Sequence, residues 1–204
     1  MANRMDFERE FQNQLSSLGE SVPELALHSC CAVCSSSVLE RLSPHFRVTV
    51  VYYNPNITPR GEYERRKAEQ IRIINTLEWP NAVSYVDFDY DHGEFLKAAS
   101  GYESEPEGGA RCARCFALRL ERSARYASER SIPYICSTLT VSPHKSAAAV
   151  NAAGEAAALA HGVTWLCSDF KKKDGYLRSV RLAEQYNIYR QSYCGCEFAS
   201  QKGG

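Results

Sequence analysis

Short runs of β-branched and aromatic residues alternate along this chain with longer segments of helical period, and this alternation narrows the fold more than anything else in it. The clearest run is FRVTVVYY, residues 46–53, which lies between Pro44 and Asn54-Pro55. Its β-branching, length and flanking breakers mark a buried strand. Similar runs stand at 24–29, 82–88, 133–137 and 163–167. Helices are expected over 4–18, 35–42, 62–77, 91–99, about 112–130, 143–160 and 175–186, with a polar Glu/Gly/Pro loop over 101–109. No repeat or low-complexity linker divides the 204 residues, which are enough for one core without disulfide staples. The prediction is one α/β domain, 1–204, with a mostly parallel sheet and helices on both faces. Residues 1–20 carry its opening helix and 190–204 its C-terminal tail.

Parallel sheets of this kind bind ligands beyond the carboxyl ends of their strands. The segments that fall there are Ser29 to Cys34 after the first strand, Asn54 to Asn56 after the second, Ser137 to Lys145 after the fourth and Asp169 to Lys171 after the fifth. One convergent site is expected at that end.

Nine cysteines are the next constraint. No run of eighteen apolar residues exists, and residues 1–18 lack the apolar segment of a secretory signal. A cytoplasmic address without membrane contact is therefore expected, and there thiols serve as ligands, redox groups or core residues rather than structural disulfides. Seven of them lie in Cys30-Cys31-Ala32-Val33-Cys34, Cys112-Ala113-Arg114-Cys115 and Cys194-Gly195-Cys196. Two C-x-x-C spacings point to a metal, and spacing alone leaves structural zinc and an iron–sulfur cluster both open. Three features favour the cluster. About 80 residues and several elements separate the two groups, unlike a zinc ribbon. A vicinal pair such as Cys30-Cys31 is unusual for zinc. Both groups fall at the ligand-binding end of the sheet, at helix starts that stabilise thiolates. Cys194 and Cys196, one glycine apart, read either as a labile redox pair or as two ordinary thiols. Cys136 and Cys167 sit in apolar strands and read as packing residues.

Taken in order, HSCCAVCSSSVLE, VVYYNPNITPRGEYERR, GGARCARCFALRL, STLTVSPHK, DFKKKDGYLRS and YNIYRQSYCGCEF resemble the epoxyqueuosine reductase family QueH, from about His28 to Phe198. Ser146 departs from that pattern, where asparagine is expected, and so does Ala149-Val150, where bulkier residues are. The resemblance implies an oxidoreductase of queuosine biosynthesis that reduces a cyclopentane epoxide on the tRNA wobble nucleoside to the alkene, without cobalamin. It also implies a sheet of the adenine-nucleotide-hydrolase (HUP-like) type, although the Ser-Gly-Gly phosphate loop of ATP-using relatives is absent. By position, Cys30, Cys31, Cys112 and Cys115 resemble the ligands of a [4Fe–4S] cluster, and Cys194 and Cys196 a redox-active pair. A second mononuclear iron or other metal beside the cluster has Cys34 and Asp169 as candidate ligands.

Other roles follow from residue type. His144 is a candidate proton donor, or an exposed residue of a helix start capped by Ser142 with Pro143 at its first position. A phosphate at that helix start, assisted by Lys145, is a further reading. Net charge is zero, so tRNA contact must be local. Lys171, Lys172, Lys173, Arg178 and Arg181 form one basic cluster, and Arg60, Arg65, Arg66 and Lys67 another; without the resemblance, both read more simply as solvated faces. Tyr53 and Asn54 are candidate contacts to an unstacked anticodon base, with core packing the alternative for the tyrosine. The electron donor is unidentified. Two rivals remain: a non-catalytic zinc-stabilised RNA-binding module, and an ATP-dependent tRNA thiolation enzyme, against which the missing phosphate loop speaks.

Overall fold

All five expected strands form: β1 (Glu24–His28), β2 (Arg47–Tyr52), β3 (Val83–Asp87), β4 (Tyr134–Ser137) and β5 (Thr164–Trp165). The structure is a computed structural model and describes residues 5–200. The sheet has the order β3-β2-β1-β4-β5 and every neighbouring pair is parallel. The expected mostly parallel sheet is thus wholly parallel. β1 occupies the centre, where chain order reverses direction across the sheet, the position at which a ligand crevice opens.

Among the described residues eight helices connect and flank the strands: α1 (Phe7–Ser17), α2 (Ala32–Leu42), α3 (Arg60–Thr76), α4 (His92–Ala99), α5 (Ala110–Glu129), α6 (Ala147–His161), α7 (Gly175–Gln185) and α8 (Glu197–Ser200). Strand side chains alternate faces, and two cores result. Leu25, Leu27, Val48 and Val50 face one way, onto Phe11, Val38, Leu39 and Phe170. Ala26, Val51 and Ile135 face the other, onto Phe116, Leu120, Val150 and Trp165. Helices therefore cover both faces, as the alternation required. Among the described residues no helix is long and apolar enough to cross a membrane.

Three boundaries differ in ways that matter to the site. The helix expected at 35–42 begins at Ala32, with Cys31 as an extended N-cap residue, so Cys34 lies in its first turn. The helix expected from 143 begins at Ala147. Ser146, not Ser142, caps it by accepting from Ala149 N at 3.3 Å, while Ser142 Oγ accepts from His144 N in the preceding turn. Serine and asparagine cap helices about equally well, so Ser146 performs the local work expected of an asparagine there. The fifth strand shrinks to Thr164–Trp165 because the chain then leaves the sheet as coil. Arg4 of the expected opening helix and residues 201–204 of the tail lie outside the described residues.

Candidate metal and redox site

The three cysteine groups meet at the carboxyl end of the sheet. Cys30, Cys34 and Cys194 line a cavity of about 600 Å³. Cys112, Cys115, Cys194 and Cys196 line an adjoining narrow crevice of about 40 Å³. Cys194, Glu107, His144 and Lys145 line both, so they form the wall between the two spaces. Cys31 lines neither; it is packed on Ala32, Ile73 and Ala183 behind its neighbours. All nine cysteines are free thiols.

Local structure explains the placement. β1 ends at His28, and the chain turns at once into α2, presenting Cys30, Cys31 and Cys34 at a helix N-terminus. There the aligned peptide dipoles favour negative charge. Hydrogen bonds from Cys31 and Cys34 hold the Cys30 thiol well below its ordinary pKa, and the same shared charge pushes Cys31 and Cys34 up. Thiolates are soft-metal donors. The second group opens α5, one turn apart on one face. Gly108 N donates to Cys112 Sγ at 3.2 Å, and burial pushes the Cys115 thiol up to about 12.

The third group is a pinned turn. Gly195 has φ +98°, and a Cβ placed on it would sit 3.0 Å from Ile57 Cγ1, so only glycine fits. Gly195 O accepts from Thr58 N at 2.9 Å, and Arg66 donates to the carbonyls of Cys194 and Tyr193 at 3.1 and 3.2 Å. His92 joins the α8 side through Glu197 Oε1 at 2.7 Å and bonds Pro55 O at the same distance.

Beneath these thiols lies a polar layer that sequence reasoning missed. Arg119 is buried, at 1% exposure. It donates to Asn54 Oδ1, His28 Nε2 and Cys115 Sγ. A guanidinium only donates, so His28 must present a bare Nε2 and carry its proton on Nδ1, toward Ser137 Oγ at 2.9 Å. Burial and then the Arg119 charge lower the His28 pKa to about 3, so it stays neutral. Burial works against the Arg119 charge, but the fields of Cys115, Cys30 and Cys194 outweigh it and raise its pKa. Lys145 behaves alike: burial lowers it, and Cys194, Cys30 and Cys34 more than restore it. The available signal was spacing: Arg119 lies four residues after Cys115, one turn along the same helix face.

Other expected site residues lie elsewhere. Asn54 is buried below the cavity, its Nδ2 donating to Ser29 O at 2.9 Å, and it organises the site instead of facing it. Tyr53 is buried too; its hydroxyl bonds Glu94 and its ring lines a separate cavity of about 410 Å³ with Phe88 and Arg122. Asp169 lines none of these cavities, and its carboxylate is taken by Lys171 Nζ at 2.6 Å. Arg178 is paired with Glu40 at 2.6 Å and Lys173 with Glu8 at 3.2 Å, whereas exposed Lys172 has no ion pair among the described residues. In the other basic cluster, Arg66 is buried against Glu62, Lys67 pairs with Asp87, and Arg65 stacks 3.4 Å over Tyr189. His144 is exposed at the cavity, in a turn and not on a helix. Cys136 and Cys167 are core, as expected.

No three His, Cys, Asp or Glu side chains among the described residues form a ready cage for a single ion. A cluster is a different case, since its thiolates are spread around a body several atoms wide. The two cysteine-bearing helix starts, facing adjoining cavities with a buried cation behind them, suit that chemistry.

The fold and site together define a wholly parallel α/β protein with thiols gathered at the carboxyl end of its sheet. The family model described as epoxyqueuosine reductase QueH matches residues 25–202. The chain belongs to that family. Proteins named epoxyqueuosine reductase QueH from Staphylococcus epidermidis and Streptococcus pyogenes are 42% and 41% identical to it. The alignments cover 89% and 91% of this chain, and 78% and 74% of those relatives. One of the same name from Thermotoga maritima is 32% identical over 85% of this chain and 88% of its own.

Proposed function

We propose that this chain is an epoxyqueuosine reductase, an oxidoreductase that converts the cyclopentane epoxide of the tRNA wobble nucleoside to the alkene in queuosine biosynthesis. The observation that carries this reading is the meeting of three cysteine groups around two adjoining cavities, in a member of the family so named. Opening the epoxide to an alkene breaks both C–O bonds, consumes two electrons and two protons and releases water.

Cys30, Cys31, Cys112 and Cys115 would hold a [4Fe–4S] cluster, which when bound supplies electrons singly. The dithiol of Cys194 and Cys196 supplies the matching pair: its oxidation to a disulfide yields two electrons and two protons, which balances the reduction. An external reductant, of unidentified nature, restores the dithiol. Arg119 and Lys145 offset the negative charge of the thiols from below and beside them. His144 and Lys145 line the cavity and stand where the departing oxygen needs a proton. A second metal would draw on Cys34, and Asp169 joins it only if its bond to Lys171 opens. Lys172 and the neighbouring surface contribute phosphate contacts to the anticodon arm.

The test is anaerobic incubation of the iron-loaded protein with epoxide-bearing tRNA and a reductant, followed by nucleoside mass analysis. The expected product is lighter by one oxygen. The preparation should be coloured, contain iron and sulfide, and bleach on reduction. A colourless protein with about one zinc per chain and no product would overturn the proposal in favour of a zinc-stabilised RNA-binding module. Cys194→Ser should stop multiple turnover.

A further inference from the structure

Among the described residues only one aromatic side chain is exposed, that of Tyr176 at 38%, and it lines the 600 Å³ cavity onto which the thiols open. The cavity's other tyrosine, Tyr193, has its ring under Arg66, 5.3 Å from the guanidinium carbon. No ring or cation among the described residues covers the ring of Tyr176. Beside it stands Arg190, which also lines the cavity and is exposed. Arg190 donates to Tyr176 Oη at 2.9 Å and has no ion pair among the described residues. A guanidinium carries five N–H donors, so this bond orients Arg190 and leaves most of them free.

The backbone under this pair is fixed. A Cβ on Gly175 would collide with Phe170 O, so the chain can start α7 this close to Phe170 only with glycine there. Ser179 Oγ then donates to Tyr176 O at 2.7 Å. Tyr176 and Ser179, three residues apart, share the helix face that lines the cavity, whereas Arg178 lies off that face and is held by Glu40. The charge around the cavity suits an anion. Glu107 is the one carboxylate among the described residues that line it. Against it stand Arg190 and Lys145, neither with an ion pair among the described residues, while Arg66 is offset by Glu62 at 2.7 Å.

We infer that Tyr176 and Arg190 are a rim contact for the anticodon loop, the Tyr176 ring stacking on the base next to the reacting nucleotide and Arg190 binding the phosphate between them. This rests on the proposed reductase function. The reacting nucleotide must reach the thiols, and the two exposed side chains meet the part of the loop that stays outside. Single-stranded RNA is held by aromatic platforms together with cations that track its backbone. Stacking tolerates any base, because every base has a π-face. A guanidinium fork fits a phosphate with two parallel bonds. The contact therefore supplies affinity and register, and leaves recognition of the reacting nucleoside to the cavity.

The test measures binding of epoxide-bearing tRNA to the iron-loaded protein by fluorescence anisotropy, anaerobically and without reductant, over a series of salt concentrations. Arg190→Gln should weaken binding and reduce the slope of log affinity against log salt by about one, and Arg190→Lys, which keeps the charge, should restore the slope. Tyr176→Leu should raise Kd about tenfold with the slope unchanged, and Tyr176→Phe, which keeps the ring, should bind close to wild type. Melting temperature and iron content should match wild type in all four, which separates a lost contact from a damaged fold. A wild-type slope in Arg190→Gln, or wild-type affinity in Tyr176→Leu, would overturn the assignment. So would a wild-type protein that does not bind the tRNA. Epoxide reduction by wild type, assayed separately with reductant, judges the functional reading: binding that depends on both residues without any reduction would sink the reductase and leave the rim contact standing.

Discussion

Arg119, under the cysteines, and Arg178, on the surface of α7, are both arginines with well-placed partners, yet their surroundings are opposite. Arg119 is buried and answers to a neutral imidazole, an amide and a thiol, with no carboxylate among its partners in the described residues. Arg178 is exposed and held by both oxygens of Glu40. Lys171 and Lys173 beside it are likewise met by Asp169 and Glu8. A run of basic residues is conspicuous in a sequence, but here most of its charge is cancelled locally. An isolated arginine in mid-helix is inconspicuous, and it keeps a charge that no carboxylate among the described residues answers, beside the gathered thiols. Exposed pairs contribute little because water and salt screen them, whereas a buried charge is felt at close to full strength.

Arg119→Met breaks this contrast most directly. It should cost about 1–3 kcal/mol of stability for each of the buried acceptors on Asn54 and His28 that it leaves unpaired. Iron content and turnover should fall with it, read by chemical denaturation and metal analysis. Full iron loading and normal stability in this variant would show that the charge under the thiols is incidental.

Gly195→Ala comes next. The positive φ and the approach to Ile57 predict a loss of about 1–3 kcal/mol and a displaced Cys194-Cys196 turn. The checks are the melting temperature and the rate at which the pair re-forms a dithiol under reductant. Unaltered values would mean the turn is not pinned as described.

The smallest effects belong to α7. Arg178→Ala should change stability by less than about 1 kcal/mol and, being paired, leave the salt dependence of tRNA binding nearly intact. Lys172→Ala should leave stability alone but reduce the slope of log affinity against log salt by about one. Equal slopes for the two variants would erase the distinction between cancelled and free surface charge.

Much of the architecture was legible because its causes are local. FRVTVVYY is a strand wherever it packs, and the breakers around it end it. The ligand end of the sheet followed from topology, and the cysteines were visible as spacings. The helix start near residue 143 was misplaced because two serines compete as caps, and only the geometry of the following turn chooses Ser146. For Tyr53 and Asn54 the sequence left base contact and packing both open, because a strand's alternation says that neighbours face opposite ways but not which face holds the site. Tyr52 packs on Tyr63 at 5.2 Å, and Tyr53 is turned toward Glu94 and a different cavity.

By itself the sequence determined the alternating strands and helices, the helices on both sheet faces, the burial of Cys136 and Cys167, and two of the three thiol groups at one end of a parallel sheet. Each depends on residue type and short-range period. Tertiary structure alone decided which cations lack a carboxylate partner among the described residues, which tautomer His28 adopts, that Gly195 is clamped by Thr58 and Arg66, and that the Cys194-Cys196 turn meets the other two thiol groups. Those outcomes depend on residues far apart in the chain meeting where water is excluded, where a hydrogen bond made or missed weighs most.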